Sequence, residues 1–191
     1  MKLEEEVRVH QKTLGPLRII SIIMTTVIMS AALFDRFPWA VTIDGDGKSF
    51  SFDNRLLFTL QLSFVDLIPL LGSIFAVINK RISSIAINPM DPRGHSLVEQ
   101  RQRILQNTLE QLLIKLIVSL SVCTVLRLNE LMVLPVITVL FLLGRLTFAF
   151  GYPNYRSFGI AMNIISAVFV TFIVAHRLFI EGILFQHIRS K

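Results

Sequence analysis

Apolar residues come in long runs separated by short polar stretches. Leu17–Phe34, Leu56–Ile78, Ile104–Leu126, Leu131–Phe150 and Phe158–Ile180 each approach or exceed the roughly 20 residues that a helix needs to cross a bilayer. The pattern predicts an all-α integral membrane helical bundle with five spans. The stretch before the first run, residues 1–16, mixes Glu4, Glu5 and Glu6 with Lys2, Arg8 and Lys12 and reads as a polar tail with helical character. The first run has two readings: a membrane span, or a secretory signal cleaved after the small residues at 30–32. The long, acid-bearing region before it favours the span. Between the first two runs, Asp44-Gly45-Asp46-Gly47 is a turn signal. It predicts a small hairpin of Trp39–Ile43 with Lys48–Phe52. The chain divides into 1–55, holding the tail, the first span and this acidic loop, and 56–191, a four-helix membrane domain.

Composition agrees with the pattern. Hydrophobic residues make up 53%, charged residues 17%, and mean hydropathy is +0.65. Soluble domains carry about 25% charged residues. The net charge of +6 would suggest nucleic acid in a soluble protein, but no nucleic-acid motif is present. The positive-inside rule accounts for it better. Lys80, Arg81, Arg93, Arg101 and Arg103 crowd the 80–103 loop, while Asp35, Asp44, Asp46 and Asp53 mark the 35–55 loop. The first is therefore expected in the cytoplasm and the second outside or in a lumen. Cys123 is the single cysteine, so no internal disulfide staples the fold. No metal-ligand or phosphate-loop spacing occurs.

Charge inside the spans narrows the chemistry. Asp66 and Lys115 each fall near mid-span at similar depth, which predicts a buried ion pair rather than a proton path. At the start of the third span, Arg103, Gln106, Asn107, Glu110 and Gln111 share one helical face at about 100° per residue. Arg145, near the end of the fourth span, is placed to meet Glu110. Tyr152 and Arg156 follow in the GYPNYRS turn on the same side. Two or three cations, one anion, an amide and a phenol suit a small zwitterion with carboxylates and an amine.

These residues resemble the MAPEG family, the membrane-associated proteins in eicosanoid and glutathione metabolism. Arg103-Ile-Leu-Gln-Asn107-Thr-Leu-Glu110 is similar to the family's Arg-x-x-x-Asn-x-x-Glu run. Gly144-Arg145-Leu-Thr-Phe148-Ala-Phe-Gly151-Tyr152 resembles its second signature, followed by Arg156-Ser-Phe-Gly159, and Asn88-Pro89 matches a loop position. Phe148 stands where several family enzymes carry Tyr or His. The extra N-terminal span is similar to the mattrin-like branch. The resemblance implies a homotrimer in an endomembrane (ER, Golgi or lysosome) with glutathione bound between subunits at the cytoplasmic side. It implies Arg103, Asn107, Glu110 and Tyr152 as glutathione contacts, with Lys80 and Gln106 as further candidates. It implies Arg156 or Arg145 as the catalytic cation, activating the thiol toward a lipophilic electrophile or a lipid hydroperoxide. A non-enzymatic member that binds lipid or glutathione and regulates a membrane partner is the alternative.

Overall fold

The computed structural model describes residues 2–34, 52–88, 92–126 and 130–180. Among the described residues there are six α-helices: α1 (Lys2–Leu33), α2 (Phe52–Val65), α3 (Leu67–Ile82), α4 (Pro92–Val125), α5 (Val133–Gly151) and α6 (Ser157–Ala175). A 3₁₀ turn (Ile85–Ile87) precedes α4, and a π-helical turn (His176–Ile180) ends α6. No strand occurs among the described residues. Among the described residues, five helical stretches are long and apolar enough to cross a membrane, with α2 and α3 together forming one of them, Phe52–Ile82. The break in that span falls at Asp66. Pro69 has no N–H to donate and its ring crowds the preceding turn, so the helix is interrupted just upstream.

The arrangement of side chains is that of a protein dissolved in lipid. Ile23, Phe64, Ile68, Phe75, Ile117, Val168 and Phe172 are each more than half exposed on the outside of the bundle. Asp66, Lys115, Arg145 and Asn163 are buried inside it. In a bilayer the apolar outside needs no cover, while polar side chains must find partners within the protein. The chain is therefore described as a multi-pass integral membrane protein.

Met29 and Ala32 of α1 are fully buried with Val122, Leu134, Ile137, Met162 and Val170 in the central core. The Ser21 hydroxyl donates to the Phe158 carbonyl of α6 at 2.9 Å. The first apolar run thus packs against the bundle as a helix long and apolar enough to cross a membrane. Its helix also extends back through the polar tail to Lys2.

The expected 80–103 loop is shorter than its charge suggested. Helix α4 starts at Pro92, so residues 92–103 are helical. Pro is well suited to the first helical position, and the Leu, Glu, Gln and Arg residues that follow are good helix formers. Arg101 ties this end of α4 to α3 by donating to the Ala76 carbonyl at 2.8 Å. Of the hairpin expected over 39–52, residues 39–51 lie outside the described residues, and Phe52 opens helix α2 rather than ending a strand. The tail at 181–191 also lies outside the described residues.

Candidate functional site

The end of the bundle where α3 and α5 finish and α4 and α6 begin is basic. Lys80, Arg81, Arg101, Arg103 and Arg156 gather there, and Arg18 of α1 joins them. The polar face expected on α4 is divided in two. Arg103, Gln106 and Glu110 point out of the chain and are exposed. Asn107 and Gln111 turn inward and are half-buried.

The inward part centres on Arg145, which is only 2% exposed. Its guanidinium donates to Asn107 Oδ1 of α4 at 2.8 Å. With the Asn163 amide oriented to suit its neighbours, that side chain accepts from Arg145 Nε at 2.6 Å and Nη2 at 2.8 Å. Its amino group donates to the Leu140 carbonyl at 3.1 Å. The Phe148 and Phe141 rings flank the cation at 4.9 and 6.0 Å. Arg145 thus meets two amides and two ring faces where Glu110 was expected. Glu110 instead accepts from Gln106, one turn earlier, at 3.1 Å. A buried cation held by neutral dipoles and ring quadrupoles is costly to form but keeps its position once formed.

Two glycines make this geometry possible. A Cβ at Gly144 would run into the Asn163 amide, and one at Gly159 would run into the Gly144 carbonyl and the Phe148 backbone. The α5–α6 crossing is therefore close because both positions lack side chains, as small residues allow in membrane helices.

The outward part centres on Tyr152. The Arg156 guanidinium lies over its ring at 5.5 Å, and the ring meets Phe148 edge to face at 5.7 Å. Arg103 interacts with the Tyr152 phenol and also forms an exposed ion pair with Glu99 at 2.6 Å. Gln100 donates to the Tyr152 carbonyl at 3.4 Å. Arg145, Phe148, Tyr152 and Arg156 therefore form a continuous ladder from the buried cation to the exposed one.

Of the residues singled out from the sequence, Arg103, Tyr152 and Arg156 converge. Gln106 and Glu110 continue the same exposed strip along α4. Asn107 and Arg145 belong to the buried network. Lys80, at the end of α3, makes no side-chain bond to any of them among the described residues. A neighbouring groove of about 490 Å³ is lined by Arg81, Asn88, His95, Glu99 and Gln102. None of the predicted glutathione or catalytic residues lines it, although Asn88 of the matched loop position does; the Glu99 carboxylate, shared with Arg103, connects the two places. Asn163 was missed in the sequence, although a lone amide within the apolar Phe158–Ile180 run is a legible signal.

Asp66 and Lys115 form the expected pair. Lys115 Nζ donates to Asp66 Oδ2 and to Thr138 Oγ1, the latter at 3.0 Å. At the opposite end, Arg177 pairs with Glu130. Among the described residues, no group of three His, Cys, Asp or Glu side chains could hold a metal ion.

No family model, curated protein or solved structure matches the chain.

Proposed function

We propose that the protein is a MAPEG-type membrane protein that binds glutathione at its basic end, and that this end faces the cytoplasm. The observation that carries the proposal is the exposed strip of Arg103, Gln106 and Glu110 beside Tyr152 and Arg156. Polar groups on the outer surface of a helix entering a bilayer require a partner. A second copy of the chain, as in a homotrimer, would cover the strip and enclose a site between subunits.

The donor set fits the tripeptide. Arg103 and Arg156 would take its two carboxylates or its thiolate, Glu110 its amine, and Gln106 and the Tyr152 phenol its amides. Lys80, if the neighbouring subunit brings it close, would add a third cation. Arg145 and Asn107 support the site from behind through the Phe148–Tyr152 ladder. Bound there, glutathione would supply a thiol for transfer to a lipophilic electrophile or for reduction of a lipid hydroperoxide. Arg156 would be the cation that favours the thiolate, because it is exposed whereas Arg145 is buried and bonded to Asn107 and Asn163.

The test is thiolate absorbance and turnover with a generic electrophile in the full-length protein. Wild type is expected to show both, and Arg156→Gln is expected to lose both. Binding without thiolate or turnover would select the non-enzymatic, regulatory reading. Thiolate and turnover unchanged in Arg156→Gln would overturn the role given to that residue.

A further inference from the structure

Helix α1 adds a second feature to the basic end. Between α1 and α6 runs an open groove of about 410 Å³. Its mouth carries Arg18 of α1 and Arg156 at the start of α6, and its wall carries Ile22, Ile160 and Ile164. The volume falls in the range of small-ligand sites, roughly 300–1,000 Å³. Neither arginine has a carboxylate partner among the described residues, and no acidic residue is among those that line the groove. Ser157 also lines it, with its hydroxyl buried and without a hydrogen-bond partner among the described residues. Two arginines thus border one groove near the starts of two apolar helices.

We infer that this groove holds an anionic phospholipid. Its phosphate would sit between Arg18 and Arg156, and one acyl chain would lie along the isoleucines. Three features favour a lipid over a soluble anion. The arginines stand near the starts of two apolar stretches long enough to cross a membrane, the wall beside them is apolar, and the groove lies between those two helices. Guanidinium groups are suited to phosphate because their donors match its oxygens in pairs. The site depends on α1, so it is distinct from the α4–α5 strip. It does not rest on glutathione binding, although Arg156 borders both places.

The inference is tested by native mass spectrometry of the full-length protein released from bilayers of phosphatidylglycerol and phosphatidylcholine in equal amounts. Wild type is expected to retain the anionic lipid preferentially. Arg18→Gln should weaken that retention about fivefold, the factor one cation contributes near an anionic surface. Arg18→Lys should preserve most of it. Ala161→Trp, which fills the groove without touching charge, should remove it while the unfolding temperature holds. Soluble glycerol phosphate should not displace the lipid. Equal retention of the two lipids, retention unaffected by Arg18→Gln, or displacement by glycerol phosphate would each overturn the inference. Glutathione titration of Arg18→Gln separates the two proposals, since that residue has no place in the Tyr152 strip.

Discussion

Lys115 of α4 donates to the Asp66 carboxylate at the break between α2 and α3, with both side chains buried. The pair joins the interrupted span to the central helix at the depth where water is scarce. Thr138 of α5 shares the ammonium at 3.0 Å, so three segments meet at one charge.

Separating this pair should be more damaging than deleting it. Asp66→Asn or Lys115→Met alone leaves an uncompensated buried charge, at a cost of about 3–5 kcal/mol. The double variant should recover a large part of that loss. Unfolding in detergent measures all three. Additive losses would show that the two residues do not act on each other.

The buried network around Arg145 should govern stability. Replacing Asn163 with Leu removes two hydrogen bonds to a cation, each worth about 1.5–3 kcal/mol. Gly144→Ala pushes the same amide aside and should act in the same direction, with overpacking costing about 1–3 kcal/mol. Arg103→Gln changes only an exposed strip and should leave the unfolding temperature unmoved. Equal destabilisation by Asn163→Leu and Arg103→Gln would contradict the division of α4 into an inward and an outward half.

The disposition in the membrane can be read by thiol labelling. The native Cys123 is 1% exposed and should stay silent toward an impermeant maleimide. In sealed microsomes with the cytoplasmic face outward, Ser96→Cys should label at once. Asp53→Cys should label only after permeabilisation, and Val168→Cys, on the lipid-facing side of α6, should not label. Exchange of the first two results would invert the topology, and rapid labelling at 168 would place that face in water.

The spans were legible because hydropathy runs are long, and the Asp66–Lys115 pair was legible because helix rise converts sequence position into depth. Rotation was not legible in the same way. Helical periodicity put Arg103, Asn107 and Glu110 on one side of α4, but neighbours decide which part of that side faces inward. The boundary falls between Asn107 and Glu110. Arg145 was expected to seek an acid, yet the amide that reaches it comes from α6, a helix whose orientation depends on the contact between Gly144 and Gly159. The early start of α4 was hidden because charge in 92–103 resembles a loop, although its residues favour helix. Arg18 was hidden for the opposite reason: it is one cation within an apolar run, and only the packing of α1 on α6 puts it on the same groove as Arg156.

Calorimetric titration of the full-length protein tests most directly whether the strip of Arg103, Glu110, Tyr152 and Arg156 holds glutathione. Saturable heat is expected for wild type. Arg103→Gln should weaken binding by about tenfold or more, the factor carried by one hydrogen bond to a charged group. No heat with wild type, or an affinity unchanged by Arg103→Gln, would contradict the account.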